Sequence, residues 1–190
     1  DILPANPDII IMPDVVQVEA KEDFLNWVQK GGTLVRFAGP RLAGAERGRL
    51  ANDPFMPVMI RQGGRRLDGA MTWGEPKRVA IFPEDSPFFG LAIPEDLHVY
   101  AQVLAEPGPH LADKVIASLQ DGTPLVTRSR IGLGQIVLIH VTANAEWSNL
   151  PLSGLFQKFL ERLSRRGADF SQITDLKGQT WTPVKILDGF

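Results

Sequence analysis

The 190-residue sequence contains no cysteine. This absence excludes disulfide bonds, thiolate metal sites and cysteine nucleophiles in one step. Long apolar runs are also missing, because none reaches the roughly 18 residues that a membrane-spanning helix requires. We therefore expect no direct insertion of this segment into a membrane.

An excess of either charge is missing too. The chain has 20 basic and 22 acidic residues and a formal net charge of −2, so its overall charge does not favour nucleic acid as a partner. A content of 44% hydrophobic and 22% charged residues is typical of an ordinary globular protein. The length suits one domain with a sizeable core.

The pattern places that domain at residues 1–167 and a tail or linker toward a following region at residues 168–190. The start DILPANPD and the end TWTPVKILDGF lead us to expect a piece of a longer protein. No internal repeat or low-complexity tract interrupts the chain.

The first 40 residues predict a βαβ unit. The apolar run Ile9–Met12, closed by Pro13 and Asp14, is typical of a strand buried on both faces in a parallel sheet. A helix follows, with apolar side chains at helical spacing: Phe24, Leu25, Trp27 and Val28. Gly31 and Gly32 end it, and residues 33–38 form a second strand. Two strands joined in this way run parallel with a right-handed crossover.

The rest of the chain changes character twice. Residues 41–75 show no clear period and predict an irregular excursion. From Arg78 onward the pattern predicts short strands, and Asp121-Gly122 and Gly132-Leu133-Gly134 mark two reversals of a β-meander at one edge of the sheet. A final amphipathic helix ends at Gly167, with one apolar stripe formed by Leu152, Leu155, Phe156, Phe159, Leu160 and Leu163.

Three stretches resemble a known family: MPDV (12–15), FLNWVQKGGTLVRFAG (24–39) and DGTPLVTRSRIGLGQIVLIHVTANAEWSNLPLSGLFQKFL (121–160). They are similar to the class I glutamine-amidotransferase-like domain of large, membrane-anchored bacterial proteins of unknown function. That domain is related to the middle, trimerisation domain of certain β-galactosidases and to trehalose-utilisation-type proteins. The resemblance covers most of residues 1–166, and Trp147–Phe156 is its most specific part.

The resemblance implies an α/β, flavodoxin-like three-layer sandwich with a parallel sheet and a C-terminal β-meander or hairpin extension. It also implies a parent protein anchored in the bacterial inner membrane. Amidotransferases of this class use a cysteine on a strand-to-helix elbow together with a His-Glu pair. Because this chain has no cysteine and no G-x-S-x-G motif, only the fold is carried over.

One group of polar residues follows the last predicted strand. If the extended geometry continued past that strand, alternate side chains would point the same way: His140, Thr142, Asn144 and Glu146. Asp14 follows the first strand, and ligands bind at the carboxyl ends of strands in open α/β sheets. These five residues are the candidate ligand site.

The alternative is that these residues have structural roles. Asn144 and Glu146 would then form hydrogen bonds in the turn that leads into the last helix, and Trp147 would fill the core beneath it. Ser148 or Asn149 would cap that helix.

Arginines gather in the irregular segment, at positions 41, 47, 49, 61, 65 and 66. Arg41, Arg61 and Arg65 are the candidate anion site, with solvated loop charge as the alternative. His98 and His110 lack the spacing of metal ligands, so we predict no metal site and no cofactor.

These features predict a non-catalytic interaction or ligand-sensing module of a larger, envelope-associated bacterial protein. Its partners would be other domains of the parent protein or a second copy of itself. The rival is a cysteine-independent hydrolase or transferase in which His140 and Glu146 form a proton-transfer pair, with Asp14 opposite.

Overall fold

The predicted βαβ unit is present in the computed structural model, which describes residues 3–62, 65–66 and 75–164. Strand β1 (Ile9–Pro13), helix α1 (Lys21–Gln29) and strand β2 (Thr33–Phe37) follow one another. β1 and β2 pair in parallel, with Ile9 opposite Thr33 and Ile11 opposite Val35. This part of the prediction is confirmed, whereas the predicted tail 168–190 lies outside the described residues.

The sheet is mixed rather than wholly parallel. Its strand order is β1-β2-β7-β6-β5, with β5 at Val115–Ser118, β6 at Pro124–Ile131 and β7 at Gly134–Ile139. β7 is parallel to β2, while β6 and β5 are antiparallel additions. The predicted β-meander therefore extends one side of a three-stranded parallel core. Gly122 (φ +82°) and Gly132 (φ +59°) take the left-handed conformations at its two reversals.

The irregular segment contains only short elements. Two brief helices, α2 (Pro40–Ala43) and α3 (Arg47–Ala51), follow β2. β3 (Arg65–Arg66) pairs with β4 (Ala101–Gln102) in a small separate sheet. The other strands predicted between residues 78 and 104 are isolated bridges, because a Pro-bounded stretch breaks the run into turns.

Helices cover both faces of the five-stranded sheet. On one face, Trp27 and Val28 of α1 pack in a cluster with Leu34 and Ile136. On the other face lies α4 (Gly154–Ser164). Its buried residues Leu155, Phe159 and Leu163 belong to the larger core cluster. The Phe159 ring stacks on Phe88, with ring centroids 3.8 Å apart.

Two details of the prediction are wrong. α4 begins at Gly154 rather than near Leu152, because residues Leu150–Leu152 form a 3₁₀ turn and leave Leu152 77% exposed. β1 is not buried on both faces, because it is the edge strand of the sheet and Ile11 is 42% exposed.

Within the described ranges, no helix is long and apolar enough to cross a membrane.

A buried ion pair attaches the irregular segment to the sheet. Arg36 in β2 is 1% exposed, and its Nη1 donates to Asp53 Oδ2 at 2.8 Å and to the Phe55 carbonyl at 3.0 Å. Its Nη2 donates to the Val15 carbonyl. These bonds tie the loop after α3 and the loop after β1 to the middle of the sheet.

Candidate functional site

The carboxyl ends of the three parallel strands meet at one edge, which we call the carboxyl edge. Asp14 follows β1, Gly39 follows β2 and Thr142 follows β7. A Cβ atom added at Gly39 would lie 2.7 Å from Asp14 Cγ and 3.0 Å from Thr142 Cγ2. The structure therefore brings two of the predicted site residues, Asp14 and Thr142, together across a glycine.

The Asp14 carboxylate accepts three hydrogen bonds from backbone amides. Oδ1 accepts hydrogen bonds from the amides of Gly39 and Leu42, each at 2.9 Å, and Oδ2 accepts one from the amide of Arg41 at 3.0 Å. The donors belong to the start of α2, whose first amides have no partner within the helix. Asp14 itself has φ +45°, a left-handed conformation that Asp tolerates better than most residues. Its carboxylate thus joins the loop after β1 to the loop after β2.

His140 is fully buried beyond the end of β7. Its Nδ1 lies 2.8 Å from the Val103 carbonyl, which can only accept, so Nδ1 carries the proton. Its Nε2 then accepts from the Thr127 hydroxyl at 3.0 Å. Burial lowers the pKa of His140 to about 4, against the opposing effect of the Val103 hydrogen bond. The ring is therefore a neutral link between β6, β7 and the 101–105 segment.

The other polar residues of this group form a turn. The Thr142 hydroxyl donates to Asn144 Oδ1 at 2.7 Å, and the Glu146 amide approaches the same oxygen at 3.4 Å. Because β7 ends at Ile139, the extended geometry assumed for the alternation does not continue. His140 and Thr142 are buried, whereas Asn144 and Glu146 are exposed. The four side chains do not share one face, and both His140 ring nitrogens are bonded to groups other than Glu146.

The residues that follow have structural roles, but Ser148 and Asn149 do not cap the last helix as the structural alternative supposed, because α4 begins only at Gly154. Trp147 is 2% exposed and belongs to the main core cluster. Ser148 Oγ accepts from the Leu150 amide at 3.0 Å at the start of the 3₁₀ turn, and Asn149 Oδ1 accepts from the His98 amide at 2.9 Å.

The arginines predicted to bind an anion lie on three separate elements. Arg41 is exposed in α2, Arg61 is exposed beside the bridge residue Ile60, and Arg65 belongs to β3, with its side chain outside the described part. The anion site at these positions stays a prediction.

The structure assembles a different set of arginines, which the sequence analysis missed. Arg128 and Arg130 of β6 and Arg162 in the last turn of α4 line one cavity of about 310 Å³. Arg128 and Arg130 are separated by one residue, so they share one face of β6. Their spacing was a usable signal, but Arg162 lies more than thirty positions away. Only the packing of α4 on the sheet brings it there.

Metal ligands are not grouped in the part of the chain that the structure describes. No set of three or more His, Asp or Glu side chains lies close enough there to hold a metal ion.

No protein-family model matches the sequence, and no curated protein matches it. Solved structures with a similar fold do exist. The cytoplasmic protein STM3548 from Salmonella typhimurium superposes with a TM-score of 0.57 at 14% identity, over 86% of this chain and 73% of that one. The cytoplasmic protein STM1381 from Salmonella typhimurium LT2 gives 0.53 at 13% identity, over 82% and 67%.

A β-galactosidase from Bacillus circulans sp. alkalophilus is similar as well. It superposes with a TM-score of 0.50 at 21% identity, over 81% of this chain but only 22% of the enzyme. This chain thus spans about a fifth of that protein. At these identities the likeness concerns the fold alone, and it agrees with the β-galactosidase-related part of the resemblance in sequence.

Proposed function

We propose that this chain is a non-catalytic interaction module of a larger bacterial envelope-associated protein. Its fold is of the flavodoxin-like, class I glutamine-amidotransferase-like type, which is supported by the sequence resemblance and by helices on both faces of a sheet with a parallel core. Attachment of the parent to the inner membrane has the sequence resemblance as its only support. One observation carries the interaction role, namely the exposure of Ile11 and Pro13 on the edge strand β1.

The carboxyl edge supports the non-catalytic part of the proposal. A catalytic acid or base needs a free position toward its substrate. The Asp14 carboxylate holds three backbone amides, and both ring nitrogens of the buried His140 are engaged. No observation favours the rival hydrolase or transferase that pairs His140 with Glu146.

The surface that supports interaction lies between β1 and α4. β1 is an edge strand with no charged residue from Ile9 to Pro13, although native edge strands are commonly protected by charge. Ile9, Ile11 and Pro13 share the face of the sheet on which Val35 lies, and α4 covers that face farther along. We call this set, completed by two half-buried residues of α4, the β1–α4 surface: Ile9, Ile11, Pro13, Phe156 and Leu160.

The ring contacts of α4 orient this surface. Phe159 packs against Phe82 and Phe88, on the side of the meander. Phe156 instead packs against Phe37 of β2, with ring centroids 5.5 Å apart. The flank of α4 that carries Phe156 therefore faces the β1 side. Of the apolar residues of this surface, Ile9, Phe156 and Leu160 are half-buried, and Ile11 and Pro13 are exposed.

The proposed occupant of the β1–α4 surface is another folded region of the same polypeptide. The similarity to a fifth of the Bacillus circulans β-galactosidase supports this choice, because there a fold of this kind lies within a longer chain. An uncharged, apolar surface also suits a permanent contact better than a transient one.

The absence of cysteine allows a direct test. In the variant Ile11→Cys the introduced thiol is the only one in the chain. Its labelling rate, followed by mass spectrometry at residue 11, is compared between the 190-residue chain and the full-length parent with its own cysteines replaced. We expect labelling to be about tenfold slower or more in the parent, because burial protects a thiol.

Ile81→Cys is the matched control, because Ile81 is 90% exposed away from the β1–α4 surface. Its labelling rate is expected to be the same in both proteins. Equal rates at position 11 in both proteins would contradict the proposal. The thiol at position 11 of the 190-residue chain could instead become more protected as the protein concentration rises. That result would show that the occupant of the β1–α4 surface is a second copy of this chain.

A further inference from the structure

The cavity lined by Arg128, Arg130 and Arg162 lies at the opposite end of the parallel strands. Thr33 begins β2 and Gln135 lies at the start of β7, and both also line it. We call it the arginine cavity. Its volume of about 310 Å³ is at the lower end of the range for small-molecule sites, about 300–1,000 Å³.

The arginine cavity has an excess of positive charge. Three guanidinium groups line it, and no Asp or Glu of the described residues does. None of the three groups forms a hydrogen bond or an ion pair with a described residue. Partial burial and then the charge of Arg130 lower the pKa of Arg128, while Asp85, outside the lining, raises it. Like charges this close repel one another, and a desolvated charge without a partner is costly.

Helix ends do not account for this cluster. α1 and α4 both end beside the cavity, and cations near helix C-termini are favourable. However, the Leu163 carbonyl accepts from Thr33 Oγ1 at 3.2 Å and from Gln135 Nε2 at 2.9 Å. The Gln29 carbonyl of α1 accepts from the Leu133 amide at 2.9 Å. Neutral groups therefore satisfy these two carbonyls, and Arg128 and Arg130 have no acceptor among the described residues.

The other residues of the lining are engaged within the protein. A Cβ atom at Gly132 would lie 2.7 Å from the Gln29 carbonyl oxygen and one at Gly134 would clash with the Val28 carbonyl, so these glycines allow close packing on the end of α1. The Thr33 hydroxyl and the Gln135 amide nitrogen already donate to the Leu163 carbonyl. The three arginines are therefore the lining residues that would hold an anion. Guanidinium groups bind phosphate or carboxylate oxygens through two parallel hydrogen bonds, and an anion between them would also relieve their mutual repulsion.

We propose that the arginine cavity binds a small organic ligand that carries at least two negative charges on phosphate or carboxylate oxygens. In the proposed complex, Arg128 and Arg130 of β6 bind the anionic group from one side, and Arg162 of α4 binds it from the other. Neither the comparisons nor the sequence analysis assigns a site here, and the site does not depend on occupation of the β1–α4 surface.

Isothermal titration calorimetry at constant ionic strength tests the proposal, with inorganic phosphate, pyrophosphate and citrate as probes. We expect at least one probe to bind at a single site. The loss of a hydrogen bond to a charged group corresponds to about 1.5–3 kcal/mol. The change Arg128→Gln, Arg130→Gln or Arg162→Gln should therefore weaken binding about tenfold or more. Phosphate probes and citrate distinguish a phosphoryl ligand from a polycarboxylate, and either supports the shared chemistry.

Lys158→Gln is the matched control, because Lys158 is an exposed cation of α4 that does not line the cavity. Its affinity should stay within about twofold of the unmodified chain. Circular dichroism checks that each variant folds; if Arg128→Gln does not, the exposed Arg130 and Arg162 carry the test. No binding of any probe at millimolar concentration, or equal affinity in the control and the three variants, would overturn the proposal.

Discussion

Polar side chains at the two ends of the parallel strands differ in their hydrogen bonding. At the carboxyl edge, Asp14 and His140 have short side chains whose polar atoms are all bonded within the protein. At the amino-terminal end, three guanidinium groups line a cavity without a described partner. Open α/β sheets commonly bind ligands at the carboxyl edge. In this chain the polar atoms of Asp14 and His140 are already bonded at that edge, and the arginines without a described partner lie at the other end.

Because of this difference, we expect the side chains at the carboxyl edge to contribute to folding stability and the arginines at the other end to contribute to binding. A side chain whose bonds are internal contributes to the free energy of folding, and its removal leaves buried groups without partners. A charge held among like charges contributes little or nothing to folding, but it is available to an anion. Substitutions at the carboxyl edge should therefore lower stability, whereas substitutions in the arginine cavity should leave stability almost unchanged.

At the two ends of the strands, the largest effect on stability is expected at His140 when the pH is lowered. Its folded-state pKa of about 4 lies below the ordinary histidine pKa of about 6.5, so the unfolded chain takes up the proton first. The stability contribution is fully present above about pH 6.5 and is lost as the pH falls toward about 4. The loss is roughly 3 kcal/mol, since one pKa unit corresponds to about 1.4 kcal/mol. Urea unfolding across this pH range measures it.

His140→Asn provides the comparison for this prediction. The amide nitrogen of Asn can donate to the Val103 carbonyl in place of Nδ1, but it does not titrate. The fall in stability with pH should be much shallower in this variant, while His110→Gln, at an exposed position, should retain the slope of the unmodified chain. Equal slopes in the unmodified chain and His140→Asn would show that His140 is not the group responsible.

The second effect is the loss of the Asp14 carboxylate. Asp14→Ala removes the acceptor for the amides of Gly39, Arg41 and Leu42 at once. Loss of a helix-capping side chain costs about 0.5–2 kcal/mol, and we expect a value near the upper limit, about 2 kcal/mol, because three donors lose their partner. The free energy of unfolding in urea measures the change.

Asp14→Asn tests the same contact more finely. An Asn at this position keeps one oxygen for Gly39 and Leu42 but places an amide group toward Arg41. Its loss should be smaller than that of Asp14→Ala. If both variants were as stable as the unmodified chain, the carboxyl edge would not be closed in the way the hydrogen bonds indicate.

The sequence predicted the parts of the fold that local patterns determine. The apolar run of β1, the glycine stop at Gly31 and Gly32, and the turn at Asp121-Gly122 each depend on near neighbours in the chain, and each has its counterpart in the structure. The edge position of β1 was not predictable, because strand order depends on long-range pairing. The same reason explains why a continuous apolar run looked fully buried.

The candidate site was harder to predict than the fold. Position after a strand correctly brought Asp14 and Thr142 to one edge. Alternation failed for His140 and Glu146, because it holds only while the chain stays extended, and β7 ends at Ile139. The arginine cavity joins β6 to α4, two elements that only tertiary packing places side by side. Density of arginine along the sequence therefore pointed to residues 41–66 instead.

Substitution in the arginine cavity is expected to have the smallest effect on the free energy of unfolding. Any change should be an increase, whereas the changes at the carboxyl edge are decreases. Arg130→Gln removes a positive charge that lies beside Arg128 and has no described partner. We expect the unfolding free energy to rise slightly or to stay within about 0.5 kcal/mol of the unmodified chain. Any gain should shrink as salt is added, because salt screens the repulsion between exposed charges.

Arg36→Gln is the contrasting arginine variant. Arg36 is buried and donates to Asp53, Phe55 and Val15, so its replacement should cost about 3 kcal/mol or more by leaving the Asp53 carboxylate without its partner. A loss above about 1 kcal/mol for Arg130→Gln would mean that Arg130 has an internal partner of its own. The two ends of the sheet would then not differ in the way proposed, and an anion would have to displace that partner before it could bind.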